Sequence, residues 1–304
     1  LAMDNMLVHL PSLMAGDGRP ATAEHTPDFF THHTLGYDFV PNAPKPTNWL
    51  RFLGDLWGDD PQSIELLQEW MGYLLTRDTS MQKILLLIGP PRSGKGTLDR
   101  VMQRLVGLES VASPKLDSMA TNFGLSPLIG KTFASIPDTR LGRQDQAPIV
   151  ERLLSISGED SLTVDIKFKS AWNGRLKTRL MITSNELPRL LDSSGALTSR
   201  ILLLQTRRSF TGKEDRGLEG KLLAELPGIF SWAVEGLRRL MARGRFIQPD
   251  SGKELLEQMG DLTSPVGQFV RECCVVDEDG EGRVRMGELY SAWRQWCDDE
   301  GRDH

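Results

Sequence analysis

The chain has 304 residues, 39% hydrophobic and 25% charged, enough for one large domain or two small ones with a packed core and no disulfide staples. That balance excludes a collagen-like or mucin-like polymer and disorder over most of the length. With 36 basic against 41 acidic side chains the net charge is -5, which argues against a nucleic-acid coat but allows a basic channel inside an acidic body.

The longest apolar runs, Ile84 to Ile88 and Ile201 to Leu204, are of strand length, and no signal peptide is visible, so the expected location is cytoplasmic. Cys273, Cys274 and Cys297 fit a reducing compartment, without a CxxC pair for zinc. His25, His32 and His33 have no metal-ligand spacing and read as loop residues. A leucine at position 1 reads as a fragment or a product carrying tag residues.

Taken in order, Pro11, Pro20, Pro27, Pro41, Pro44 and Pro46 break the pattern before Trp49. The first clear helix follows Asp59-Asp60-Pro61 and carries Ile64, Leu67, Trp70, Met71, Leu74 and Leu75 at helical spacing. Residues 83–88 read as a strand buried on both faces, and 97–105 as a helix. Residues 131–137 read as a second buried strand and 146–157 as a helix. Two β-rich runs, 162–168 and 179–183, flank Trp172-Asn173-Gly174, where Asn-Gly is a hairpin-turn signal. A strand over 201–205 and a helical pattern over 218–243, interrupted at Pro227-Gly228, follow. This alternation predicts an α/β fold with a parallel sheet. Residues 264–304 read as a small separate unit, with a short helix from Pro265, an acidic turn over 277–282, and Leu289, Tyr290, Trp293 and Trp296 at helical spacing.

The strongest chemical signal is Gly89-Pro90-Pro91-Arg92-Ser93-Gly94-Lys95-Gly96-Thr97. It fits G-x-x-x-x-G-K between a buried strand and a helix, the context in which backbone amides and the helix N-terminus cradle phosphates. Lys95 then reaches the β- and γ-phosphates of ATP. Gly96 stands where a Ser or Thr usually follows the lysine, so Thr97 is the candidate hydroxyl for Mg2+. Asp138, about forty residues on, ends the second strand, where a carboxylate at the tip of a neighbouring strand faces the magnesium. No separate catalytic base is evident, and Glu159 is no more than a candidate. Asn185, at the end of Leu180-Met181-Ile182-Thr183-Ser184-Asn185, can orient a water against the γ-phosphate, and the same residue type also favours plain turns. Arg200, just before another buried strand, can reach the γ-phosphate of an adjacent subunit, or be a surface ion-pair residue.

From 167 to 179 there are five basic side chains, Lys167, Lys169, Arg175, Lys177 and Arg179, and no acidic one. With Trp172 among them, the segment suits the backbone and bases of single-stranded nucleic acid. A solvated hairpin with a packed tryptophan is the alternative.

The ordered set of phosphate loop, Asp138, Gly158 to Lys167, Ser184-Asn185-Glu186-Leu187-Pro188 and Asp192 to Arg200 resembles the phage and plasmid primase-helicases related to the poxvirus primase-helicase, of helicase superfamily three. His25-Thr26-Pro27-Asp28-Phe29-Phe30, and Ala224-Glu225-Leu226-Pro227-Gly228-Ile229 with Trp232, extend the likeness over nearly the whole chain. The resemblance implies an AAA+ ATPase that forms a hexameric ring and moves three-prime to five-prime on single-stranded DNA in replication of a phage, prophage or plasmid. It implies Lys95 as the Walker A lysine, Asp138 as the Walker B acid, Asn185 as sensor one and Arg200 as the arginine finger. Lys167, Lys169, Trp172, Arg175 and Lys177 fall on the channel hairpin. Residues 1–78 are expected to form a mostly helical region, 79–248 the ATPase core, and 249–304 a winged-helix-like unit cut short. A primase domain or partner is implied, though no residue here supplies one. Two rivals remain: a nucleoside monophosphate kinase, whose loop GPPRSGKGT approaches, and a catalytically weak AAA+ scaffold that binds DNA or an initiator.

Overall fold

The computed structural model describes residues 1–16, 18–137, 147–188, 190, 195–263, 265–275 and 282–299. Its centre is a parallel sheet of five strands: β3 (Ile84–Ile88), β4 (Val111–Ala112), β5 (Phe133–Ile136), β8 (Arg179–Ser184) and β9 (Ile201–Gln205). The order across the sheet is β4-β5-β8-β3-β9. β3 is therefore flanked by β8, with Ile88 opposite Ser184, and by β9, with Ile88 opposite Gln205.

Both faces of the sheet are covered, which is why β3 reads as an unbroken apolar run rather than an alternating one. Leu85 and Leu87 enter one core with α2 (Thr47–Trp57), α3 (Pro61–Leu74), α4 (Lys95–Val106) and α8 (Leu226–Arg243). Ile84, Leu86 and Ile88 enter the other, with α5 (Ala147–Ser157), α6 (Ala196–Arg200) and α9 (Asp250–Thr263). The first core also takes Met3, Val8, Leu10, Leu35 and Phe39, so the N-terminal segment packs on the same sheet. That segment holds the antiparallel pair β1 (Leu7–Val8) and β2 (Thr22–Ala23) around a short α1 (Leu10–Ala15); its longer helices begin at Thr47.

α3 starts as its sequence demands, with Pro61 in the first turn and the Asp60 carboxylate accepting from Ser63 N at 3.1 Å. It crosses α8 so closely that a Cβ on Gly72 would lie 2.3 Å from the Ala233 carbonyl oxygen. Glu69, buried in this crossing, holds Arg239 at 2.7 Å and also Arg243. The helical interruption expected at Pro227-Gly228 falls instead between α7 (Leu218–Leu223) and α8, at Ala224-Glu225. Pro227 sits in the first turn of α8, where its missing N–H costs nothing.

The hairpin also differs from expectation. Residues Trp172–Gly174 form strand β7, paired antiparallel with β6 (Leu162–Val164) in the register Val164 to Trp172. Asn173-Gly174 is thus within a strand, its register pinned by Thr163 Oγ1 donating to Asn173 Oδ1 at 2.6 Å. The turn lies between the strands, where Lys169 N donates to Ile166 O at 3.1 Å. At the C-terminal end, α10 (Pro265–Cys273) and α11 (Met286–Asp299) pack Phe269 against Trp296, ring centroids 5.9 Å apart, beside buried Cys297.

Candidate nucleotide site and nucleic-acid hairpin

The phosphate loop joins β3 to α4 at the C-terminal edge of the sheet. Gly94 precedes α4 with φ +89°, a left-handed conformation that glycine adopts without strain, and no side chain caps the helix there. The loop is fastened from beneath: buried Thr206 donates from Oγ1 to Ser93 Oγ at 2.7 Å, and a Cβ on Gly89 would strike that hydroxyl. Lys95 folds back over the loop. Its Nζ donates to the carbonyls of Gly89 (2.5 Å) and Pro90 (2.9 Å), to Ser93 Oγ (3.4 Å) and to Asn185 Oδ1 (3.0 Å). Two motifs 90 residues apart are thereby brought to one point, because β8 pairs directly with β3.

Thr97 lies in the first turn of α4, and Gly96 is exposed with the Arg100 guanidinium over it, 3.3 Å from where a Cβ would stand. Asp138 and Asp192 lie outside the described residues. β5, the strand that leads to Asp138, is not next to the loop strand as expected: β8 is inserted between β5 and β3. Asn185 therefore stands at the tip of the intervening strand.

Arg200 and Glu159 are at the opposite edge. Arg200 precedes Ile201, which pairs with Ile84 at the start of β3, so a strand length of about 15 Å separates it from the loop of its own chain. Its Nη1 donates to Leu154 O (2.5 Å) and Ser157 Oγ (3.0 Å) at the end of α5. Lys83 lies beside it, donating to Ser199 O at 2.6 Å. Burial first, and then the charge of Arg200, pushes the Lys83 ammonium below its ordinary range. Glu159 accepts from Thr79 Oγ1 at this same edge and is not brought to the phosphate loop.

The basic segment divides. Lys167, Lys169, Arg175 and Lys177 are exposed. Arg179 is not part of that surface: it is buried in β8, donating to Leu74 O (3.0 Å) and Asp78 O (3.3 Å), with Tyr73 under its guanidinium. Burial lowers its pKa to about 10. Trp172 is half-buried, its indole lying over Gly174 and packing on the core through its own strand. The exposed aromatic is Phe168, which sequence reasoning missed. It is 93% exposed at the apex of the turn, with φ +62°, and Lys167 Nζ lies 5.1 Å from its ring centroid. A bulky residue in left-handed backbone is a genuine outlier, and a large apolar ring held in water is a second one.

The Ala224 to Ile229 motif proves architectural. The Glu225 carboxylate accepts from Asn48 N (3.0 Å), Trp49 N (2.9 Å), Asn48 Nδ2 (2.7 Å) and Thr47 Oγ1 (3.3 Å), capping the N-terminus of α2. Burial pushes its pKa up, but these hydrogen bonds outweigh that and hold it below the ordinary value. α2 in turn packs Leu56 and Phe52 against Gly94 of the loop. Trp232 meets Trp49 edge-on at 5.6 Å.

Among solved structures, the chain is similar to the apo structure of the NrS-1 C-terminal region (305–718). The identity is 15% and the TM-score 0.61, over 77% of this chain and 56% of that one. An A-form apo structure of the same region gives 14% identity and a TM-score of 0.57, over 73% and 53%. The fold is shared with that region. The chain spans about half the length of these NrS-1 chains. A model described as a family of unknown function (DUF5906) matches residues 87–208, from the end of β3 through the loop and hairpin to just beyond β9. No helix among the described residues is long and apolar enough to cross a membrane, and among them no cluster of His, Cys, Asp or Glu is placed to hold a metal ion by itself.

Proposed function

We propose that the chain is the motor part of a helicase: an AAA+ type ATPase that works as a hexameric ring on single-stranded DNA, moving three-prime to five-prime in replication of a phage, prophage or plasmid. Its place of action is the bacterial host cytoplasm, and its partners are DNA, further copies of itself and a primase. The observation that carries this reading is Lys95 Nζ bonded both to the loop carbonyls and to Asn185. Lys95 is held at the loop beside an uncapped helix N-terminus, the place where phosphate oxygens would meet both.

ATP fits these groups. The amides of the loop and the first turn of α4 would hold its phosphates, with Thr97 and Asp138 as partners for Mg2+. A bound metal–triphosphate supplies an activated γ-phosphoryl group. Lys95 would hold phosphate oxygens, and Asn185, bonded to Lys95, would orient a water beside them. Arg200 is too far along the sheet to act on its own loop, so its role as a finger requires a neighbouring subunit. Exposed Lys167, Lys169, Arg175 and Lys177 form the DNA contact, with Phe168 at its apex.

Steady-state ATP hydrolysis with and without single-stranded DNA tests the reading. Hydrolysis stimulated by DNA and abolished by Lys95→Ala is expected. Hydrolysis insensitive to Lys95→Ala overturns the site; DNA binding without any hydrolysis favours an inactive scaffold.

A further inference from the structure

The motif His25 to Phe30, which neither the nucleotide site nor the hairpin uses, shapes a cleft at the other end of the sheet. His25 Nε2 donates to Asp4 O at 3.3 Å and Phe29 N to Thr26 O at 3.2 Å, so the motif turns back on the N-terminal segment. The turn delivers Phe29 and Phe30 to the rim of a cleft of about 550 Å³, where they are 48% and 80% exposed. The floor is aliphatic: Leu74, Leu75 and Val106 belong to the first core. Thr132, which also lines it, comes just before β5. The cleft therefore lies at the N-terminal edge of the sheet, opposite the edge that carries the phosphate loop.

The cations of this cleft collect around His33. Arg77 stands exposed on its wall; among the described residues no carboxylate is paired with Arg77, and none lines the cleft. His33 also lines it, with its Nδ1 buried and without a hydrogen-bond partner. Burial first, and then the charges of Arg77, Lys131 and His32, hold the His33 imidazole below its ordinary range. Phe30 meets His32 edge-on, ring centroids 4.7 Å apart, so the aromatic rim adjoins the cationic corner.

We propose that the cleft docks a short segment of another protein, one that carries aromatic or aliphatic side chains beside one or more carboxylates. An apolar floor rimmed by exposed phenyl rings gains by burying such side chains. A cationic corner with no carboxylate of its own favours an acidic neighbour and turns a basic one away. Single-stranded DNA fits less well. Its bases stack on flat aromatic faces and its phosphates need cations spaced along a track. Here the floor is branched aliphatic chains, and the cations cluster at one place. The volume falls in the range of about 300–1,000 Å³ that holds compact ligands, so the segment engaged is a few residues long. No residue of the phosphate loop lines the cleft, and the inference stands apart from the nucleotide-site reading.

Arg77 and Phe30 are exposed, so their replacement leaves the fold in place, which an unchanged urea midpoint verifies. Displayed random peptides are selected on the wild-type chain. The most enriched peptide, fluorescently labelled, is then titrated by anisotropy against the wild type, Arg77→Ala, Arg77→Glu and Phe30→Ala. Enrichment of large apolar side chains next to Asp or Glu is expected. Arg77→Ala should weaken that peptide by roughly tenfold, as for loss of one charge-assisted contact, and Arg77→Glu further. Phe30→Ala should weaken it as well, through lost apolar contact. Enrichment of no peptide, or of basic ones, overturns the proposal. So does an enriched peptide that binds Arg77→Glu and Phe30→Ala as tightly as the wild type. A labelled oligothymidylate is the second probe: if Arg77→Glu weakens it and leaves the peptide untouched, the cleft takes nucleic acid and the proposal is refuted.

Discussion

Replacing Phe168 by glycine should separate DNA binding from folding, because the two respond in opposite directions. Phe168 sits at φ +62° with 93% of its surface in water. Glycine relieves the left-handed strain, which is worth about 1 kcal/mol, and sacrifices no buried contact. Stability should be unchanged or slightly raised. A ring that stacks on a base contributes ~1–3 kcal/mol, so single-strand affinity should fall by roughly 5- to 150-fold. The slope of affinity against salt should stay as it was, since no phosphate contact is lost. Lys167→Ala with Lys169→Ala should instead flatten that slope by about two counterions per subunit engaged. Trp172→Ala gives the contrast: its indole covers Gly174 and the adjoining core, so the loss should appear first in unfolding by urea. Fluorescence anisotropy of a labelled single strand across a salt series, with nucleotide present, reads all of these. If Phe168→Gly binds as tightly as the wild type while a folded Trp172→Ala binds weakly, the aromatic contact lies on the strand and not at the turn.

Three further outcomes are expected. Glu225→Ala, which strips four hydrogen bonds from the start of α2, should destabilise by about 1–2 kcal/mol near neutral pH. Because the folded pKa of Glu225 is depressed, that contribution is fully present above the unfolded glutamate value of about 4.3 and shrinks as pH falls through the folded value; a stability gap that stays constant down to about pH 3 contradicts the capping role. Gly72→Ala should cost about 1–3 kcal/mol in urea unfolding despite alanine's better helix propensity, since the added methyl meets backbone atoms of α8; an unchanged midpoint means the crossing is looser than described. Inactive Arg200→Ala mixed with inactive Lys95→Ala should regain ATP hydrolysis, and no recovery in rings shown to be mixed counts against action between subunits.

The sheet was legible where its residues had only one place to go. Ile84–Ile88 and Ile201–Leu204 are apolar throughout, and a short run buried on both faces can be little else between a turn and a helix. The phosphate loop was legible for the same reason, since strand, glycines and helix stand in one stretch. What stayed hidden depends on partners far away in sequence. Arg179 reads as one more basic residue of a surface run until α3 supplies the Leu74 carbonyl that takes its guanidinium. Glu225 reads as a helix residue until Asn48, 177 positions earlier, presents its amide. The hairpin misled differently: Asn173-Gly174 is a strong local turn signal, but the core contacts of Leu162, Val164 and Trp172 fix a register that places the turn at Ile166–Lys169. Phe168 could have been suspected only from its company, an aromatic between two lysines.

The acidic balance of the chain leaves room for the proposed DNA substrate because of where its cations lie rather than how many there are. Four exposed basic residues flank a single turn, while Arg179, Arg239 and Arg243 are spent inside the fold on carbonyls and on Glu69. Of the others, Lys95 lies at the C-terminal edge of the sheet, and Lys83 with Arg200 at the N-terminal edge, a strand length away. A single copy therefore offers a phosphate site at one edge and an arginine it cannot use at the other. In the proposed ring, a neighbouring subunit would supply the arginine that a single copy cannot bring to its own loop. The hairpin follows β5 and precedes β8, the strand that leads to Asn185; β6 and β7 form a sheet of their own, joined to β8 by residues 175–178.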